Sequence, residues 1–472
     1  MHSKILSVFF LLLSISMISC NPKTQDQPEE LPAEKTEENI TPKDDLRKAP
    51  DWAKNANIYE VNLRQYTTEG TIRAFMAHLP RLQEMGVDIL WFMPVHEISK
   101  NKRKGTLGSY YAVTDYKSIN SEYGTKEDFD AMVAEIHKLG MKIILDWVPN
   151  HTGWDSKWIT DNPEWYTKNA KGEITDPIDK DGKSWDWTDV ADLNYDNKDM
   201  RAAMIDALVY WVKDHDIDGY RCDVAFEVPD DFWDEAILAI QKEKNVFMLA
   251  EAEHPPHRNS GNFHMNYGWE FHHLTNAIAK GEKNANDIDT YFIEDVKKHK
   301  KGYPMMFSTN HDENSWNGTV FERYGDGHKT FAVLVSTIAG MPLVYSGQEA
   351  PVRKRLEFFE KDAIDWNNFE YADFYKTLLQ LKKRNKALWN GEHGGQHTRI
   401  KSGKNSDKVY AFTREKDGDK ILVIVNLSDS NQKAHLHHKG EYTEVFSGEK
   451  TNFDGHGNLA LGPWDYKVYS SN

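Results

Sequence analysis

Short apolar runs that end in polar clusters recur along this chain, and helical spacing fills the stretches between them. Residues 57–63 read as a first strand and 87–93 as a second, with i, i+3, i+4 apolar spacing over 75–85 between them. Thr125 and Asp128 form a capping box ahead of Phe129, Met132, Val133 and Ile136, a helix that Gly140 stops. KIILDWVPNH (142–151) follows as the third strand. A helix over about 200–213, with Met204, Leu208 and Trp211 on one side, then leads into DGYRCDV (218–224). VFMLAEAEH (246–254) and MMFSTNHDEN (305–314) repeat the form of apolar run first, polar cluster after. A strand buried on both faces of a parallel sheet is a continuous apolar run, so the alternation predicts an α/β fold, a (β/α)8 TIM barrel over residues 51–392. Functional groups in such a barrel collect where the strands end.

Two segments depart from this rhythm. Residues 149–196 are too long for an ordinary βα loop and rich in Trp, Asp, Asn and Gly, which predicts an inserted lobe after strand three. Trp154, Trp158, Trp165, Trp185 and Trp187 fall inside it; packing within the lobe is the expectation for each, with one or two lining a cleft. Over 393–472 the pattern turns to short alternating strands with polar turns, which predicts a C-terminal antiparallel β-sandwich with no catalytic cluster of its own.

The polar clusters carry the chemistry. Asp223, Glu251 and Asp312 each stand at the end of an apolar run. Arg221 precedes Asp223 by two, so on a strand it points to the same side and can hold the carboxylate ionised, as a nucleophile requires. Glu251 follows VFMLA directly, and an apolar wall beside a second negative charge raises a carboxyl pKa toward that of a general acid. Asp312 beside His311 pairs an acceptor with a donor, suited to gripping vicinal hydroxyls. Singly, each residue could be a structural ion pair or a strand-end carboxylate.

Together the runs resemble the four main regions of the α-amylase family of glycoside hydrolases (family 13), here DWVPNH, GYRCDVA, LAEAE and STNHD. VADLN (190–194), GVDILWFMP (86–94) and GMPLVYSGQE (340–349) are similar to further family regions, in family order. The resemblance implies Asp223 as nucleophile, Glu251 as acid/base and Asp312 as third acid, with Arg221, His151 and His311 holding the sugar and Asp146 supporting the arginine. YAVTDY (111–116) resembles the run whose first tyrosine, here Tyr111, stacks on the sugar ring; Ser109 and Tyr110 replace the histidine and glycine frequent before it. The implied activity is that of a retaining α-glucan hydrolase acting on α-1,4 bonds of starch or maltodextrins. Action on α-1,6 links or cyclodextrins, and transglycosylation, are the alternatives within the family, and a non-catalytic glycan-binding protein the remote one. No cofactor is required for such chemistry. Asn150 and Asp192 resemble ligands of a structural Ca²⁺, against which stands a reading of Asn150 as a residue that only bonds its own loop.

Composition adds the setting. Of 472 residues 39% are hydrophobic and 12% aromatic, ordinary for a globular enzyme, while a net charge of −16 argues against nucleic acid and suits a neutral polymer. The short basic run 100–104 reads as a solvated loop. Lys4 and the apolar run 5–18, shorter than the about 20 residues that span a bilayer, read as a signal peptide over 1–20. Met17-Ile18-Ser19-Cys20 resembles a lipobox, implying lipidation at Cys20 and export to the bacterial cell envelope, periplasmic or outer surface. Residues 21–50, acidic, Pro-bearing and without aromatics, read as a flexible tether. Cys222, the other cysteine, is expected in the core.

Overall fold

The computed structural model describes residues 46–471 apart from Lys180. The leader, the lipobox with Cys20, and residues 21–45 of the expected tether lie outside the described residues. Residues 46–50 correct the end of that tether: Arg47 pairs with Asp234 at 2.7 Å and Pro50 is buried, so this stretch is packed.

Eight parallel strands close a barrel: β1 (Ile58–Val61), β2 (Ile89–Phe92), β3 (Lys142–Trp147), β4 (Gly219–Cys222), β5 (Phe247–Ala250), β6 (Met265–Tyr267), β7 (Tyr303–Met306) and β8 (Met341–Tyr345). Neighbours in the ring are neighbours in sequence, and β8 closes on β1. Alternate residues divide between two cores. Ile58, Ile89, Trp91, Ile144, Phe247, Leu249, Met265, Tyr267, Met305, Met341 and Leu343 fill the barrel interior. Their neighbours, among them Tyr59, Leu90, Ile143, Tyr220 and Met248, face the surrounding helices. These include α1 (Lys126–Lys138), capped as predicted by Thr125 and Asp128, α2 (Lys198–Asp214) and α3 (Asp230–Glu243).

Gly219 lets β4 lie against β5, since a Cβ there would meet the Phe247 carbonyl oxygen at 2.0 Å. Cys222 is buried and free, as expected. The helix expected over 75–85 is instead two, Ile72–Met76 and Leu79–Met85, because Pro80 at the start of the second cannot continue the first.

The segment 149–196 closes on itself through a short antiparallel ladder between its two ends, His151–Gly153 with Val190–Asp192. Trp158 packs edge-on against Trp165 at 5.1 Å inside the lobe, while Trp185 and Trp187 stack at 5.6 Å with Trp185 40% exposed. The basic run 100–104 is not simply solvated. Lys104 pairs with Asp189 at 3.1 Å and the Lys102 ammonium sits 3.2 Å over the Trp154 ring, so the run fastens the lobe.

At the C-terminus, β9 (Gln396–Ile400), β10 (Val409–Lys416), β11 (Asp419–Asn426), β12 (Gln432–Leu436), β13 (Lys439–Glu444), β14 (Lys450–Asp454), β15 (Gly457–Leu461) and β16 (Tyr466–Ser470) form the antiparallel domain. Six make one sheet in the order β9-β10-β11-β16-β13-β14, and β12 pairs with β15. Val409, Ala411, Leu422 and Ile424 point into a core of their own, while Tyr410, Phe412, Ile421 and Val423 join the barrel's outer core. Buried Arg414 donates to the carbonyls of Ile338, Trp389 and Gly395, fixing the sheet to the barrel.

Candidate active site

The barrel's interior turns from apolar to charged at the ends of its strands. Along β3 the inward position after Ile144 is Asp146, along β1 it is Glu60 after Ile58, and along β5 it is Glu251 after Leu249. Register does the rest. Asp146 pairs with Arg221 across β3 and β4, and Cys222 pairs with Ala250 across β4 and β5, so the next residues, Asp223 and Glu251, emerge side by side.

Arg221, fully buried, ties these groups together. Its Nη1 donates to Asp146 Oδ1 at 2.7 Å and to Asp223 Oδ1 at 2.8 Å, and its Nε donates to the Tyr267 hydroxyl at 3.2 Å. Nη2 lies 2.9 Å from Glu251 Oε2 without an aligned hydrogen bond. Glu251 Oε2 also accepts the Val224 backbone N–H at 2.9 Å. Val224 achieves this in a left-handed conformation, φ 44°, rare for a β-branched residue. Asp146 is capped from the other side by Trp91 Nε1 at 3.2 Å.

This arrangement corrects the simple division of environments expected from sequence. Both carboxylates share one guanidinium, because Arg221 lies on the strand between Asp146 and Glu251 and offers a nitrogen to each side. Burial pushes Asp223 well above the usual carboxylate range; Arg221 opposes this, and the charges of Glu251 and Asp146 add to it. Asp146 is likewise pushed up by burial to about 6 despite Arg221. Asp146 and Asp223, crowded on one cation, therefore hold their protons more tightly than exposed carboxylates do. The aligned bonds from Arg221 go to Asp223 and Asp146, which favours charge on those two carboxylates.

A second cluster faces the first. Buried His311 donates through Nδ1 to Glu60 and through Nε2 to the Tyr111 hydroxyl at 2.8 Å, with Asp312 Oδ2 3.2 Å away. The Tyr111 hydroxyl in turn donates to Asp146 Oδ2 at 3.1 Å, which completes a chain from His311 to Asp146. Burial opposes protonation of His311, but Asp312 and Glu60 outweigh it and raise its pKa well above the ordinary value. His311 in turn holds Asp312 below the usual carboxylate range against burial. Tyr111 stacks on His311 at 5.6 Å, and Phe358 lies parallel to it at 6.2 Å. Tyr110, at the frequent glycine position, turns away beneath Arg64, 4.1 Å from its guanidinium carbon.

His151 sits at the lobe's edge against Trp187, its pKa lowered by burial to about 4, so it is neutral. Asn150 contacts His151 Nδ1 at 3.4 Å, and the carbonyl of Asn150 accepts from Leu193 beside Asp192. Burial, with Glu227 and Asp176 nearby, raises Asp192 to about 7.

The structure thus brings Tyr111, Asp146, Arg221, Asp223, Glu251, His311 and Asp312 into one network, with His151 at its margin. Glu60, Trp91 and Tyr267 belong to it too and escaped the sequence reading. Glu60 did leave a signal, a lone acid in an otherwise apolar strand; the aromatics were indistinguishable from core.

Comparison with known proteins bears on the family and the fold. Residues 37–423 match the family model for the α-amylase catalytic domain, and residues 401–468 that for the maltogenic amylase C-terminal domain. The chain is 26% identical over 434 residues to α-amylase MalA of Haloarcula japonica, covering 88% of this chain and 61% of that protein. Among solved structures, the noncanonic maltogenic α-amylase AmyB from Thermotoga neapolitana superposes with a TM-score of 0.80 at 25% identity, covering 89% of this chain and 99% of that one. An α-amylase from Lactobacillus plantarum gives 0.76 at 27% identity, with 90% and 99% covered.

Proposed function

The chain belongs to the α-amylase family of glycoside hydrolases, and we propose that it is a retaining hydrolase of α-1,4-glucosidic bonds in starch-derived glucans. The observation that carries this reading is the pairing of Asp223 and Glu251 at matched ends of neighbouring strands, both touching one buried guanidinium. Asp223 attacks the anomeric carbon from one side while Glu251 gives its proton to the leaving oxygen on the other; Glu251, now charged, then takes a proton from the water that releases the glycosyl group from Asp223. A double displacement of this kind needs the carboxyl groups about 5–5.5 Å apart, and sharing one guanidinium keeps them close. Asp312, with protonated His311 beside it, grips the ring hydroxyls, and Tyr111 offers its ring face. Relatives named as maltogenic amylases, a cyclomaltodextrinase and an oligo-1,6-glucosidase support an α-glucan hydrolase and keep α-1,6 and cyclodextrin cleavage as the alternatives. Incubation with amylose, pullulan, cyclodextrin and trehalose, with chromatographic identification of products, tests linkage. Maltose and glucose from amylose or cyclodextrin are expected; cleavage restricted to α-1,6 bonds would replace this reading with the alternative.

Tyr111→Phe keeps the ring and removes both hydroxyl bonds to charged partners. A fall in kcat/KM of about 10- to 100-fold is expected, since such bonds are worth about 1.5–3 kcal/mol.

Asn150 and Asp192 fit a structural calcium ion in one respect: adjacent strands bring them together, and Asp192 is a half-buried carboxylate whose charge burial disfavours. The ion would supply the neutralising charge and take no part in bond cleavage. Because the folded pKa of Asp192 is raised to about 7 from 3.8, its cost to stability is absent below about pH 4, grows as pH rises, and is complete above 7. Asp192→Asn in chelator should therefore melt higher than wild type at pH 8 and equally at pH 4. Added Ca²⁺ should stabilise wild type alone.

The reading of Cys20 as a lipidated residue that anchors the enzyme at the cell envelope predicts detergent-phase partitioning of the expressed protein. Cys20→Ala should release it to the aqueous phase.

A further inference from the structure

Behind the two candidate catalytic strands, one carboxylate and two histidines converge. Asp230 opens α3, the helix that follows the Asp223 strand, and His254 and His257 flank Pro255 and Pro256 in the segment that follows Glu251. Asp230 Oδ2 lies 3.3 Å from His254 Nε2, and Oδ1 lies 3.3 Å from His257 Nε2. The three ligating atoms all fall within 4.8 Å of one another, the one such convergence of His, Cys, Asp and Glu side chains among the described residues.

Packing alone does not account for it. His257 is 1% exposed, yet neither of its ring nitrogens makes a hydrogen bond, an expensive state for a buried polar group. The donors are also held in place. His257 N–H donates to the His254 carbonyl at 3.1 Å, closing a turn around two prolines whose φ is fixed, and this keeps the rings on one side, 4.7 Å apart. Asp230 and His254 are half-exposed, which leaves an ion a path from solvent.

We propose that Asp230, His254 and His257 bind one divalent transition-metal ion, Zn²⁺ foremost, as a two-imidazole, one-carboxylate site with a fourth position for water. Nitrogen donors select Zn²⁺ over Ca²⁺ or Mg²⁺, which take oxygen. Tetrahedral bonds of about 2.0–2.1 Å have edges of about 3.3 Å; each imidazole already lies 3.3 Å from one of the two Asp230 oxygens, so small side-chain rotations bring the set to that geometry. The ion takes no part in the sugar chemistry. It braces the segment behind Glu251 against the helix behind Asp223, a link independent of the one through Arg221.

The full-length chain, stripped with chelator and dialysed, is titrated with Zn²⁺ in a calorimeter and with Co²⁺ by visible absorption. One Zn²⁺ per chain, a tetrahedral Co²⁺ spectrum and a rise of a few degrees in melting temperature are expected. Asp230→Asn and His254→Gln, both at half-exposed positions, should each weaken Zn²⁺ by more than the roughly 10- to 100-fold lost with an outer partner, and abolish the thermal rise. Unchanged melting of the metal-free variants separates a lost ligand from a lost fold. Wild type that takes up no stoichiometric Zn²⁺, or either variant binding it as wild type does, overturns the proposal.

Discussion

Asp223→Ala is expected to lose on the order of 10⁴-fold or more in kcat on any α-glucan, with no loss of stability. The two halves of this expectation come from one arrangement. Asp223 offers the carboxylate that bonds to the anomeric carbon, so nothing replaces it in the chemistry. Yet it is one of three acids crowded on a single guanidinium, and its pKa is raised because burial and the charges of Glu251 and Asp146 outweigh Arg221. Removing it relieves repulsion and leaves Arg221 paired with Asp146 and Glu251, so the variant should melt no lower than wild type at pH 7. Azide should rescue turnover of α-glucosyl fluoride and yield the inverted β-glucosyl azide, because a small anion fits where the carboxylate stood. Substantial residual hydrolysis of amylose would remove the nucleophile assignment.

Arg221→Met should have the opposite balance, with a large loss of stability as well as of activity. The side chain is fully buried and carries the charge that Asp146, Asp223 and Glu251 share. Without it the carboxylates face each other in the barrel mouth, and removing one partner from a buried ionic cluster costs about 3–5 kcal/mol. The sign with pH follows from linkage. Folded carboxyl pKa values, already raised in Asp146 and Asp223, rise further in the variant, so its deficit is smallest as pH falls below about 4, where the acids become protonated in both folded and unfolded chains. It grows as pH climbs to 8. Denaturant unfolding at pH 4.5 and 8 measures this, and a deficit that stays constant with pH would mean that Arg221 acts by packing alone.

Much of this was legible along the chain, for physical reasons. Strands buried on both faces are short apolar runs, so β1 to β5 and β7 stood out, β8 showed only through its resemblance to a family region, and period-two alternation marked Arg221 and Asp223 as companions from the sequence alone. β6 was missed because only Met265–Tyr267 is extended, too short a run to register as a pattern. The helix over 75–85 was drawn whole because apolar spacing continues through the break at Pro80. What sequence could not carry was the contact between strands. The Arg221–Glu251 pair and the Glu60–His311 bond join residues 30 and 251 positions apart, and only register decides that they meet. For that reason the distribution of protons in the site, rather than its membership, is where structure changed the picture.

The central claim is that Asp223 and Glu251 work on opposite sides of one glucosyl unit through a covalent intermediate. It is tested most directly by following the anomeric protons of the first products by NMR, before mutarotation scrambles them. New reducing ends that appear first as the α-anomer are the result this arrangement predicts; β-anomers appearing first would contradict it.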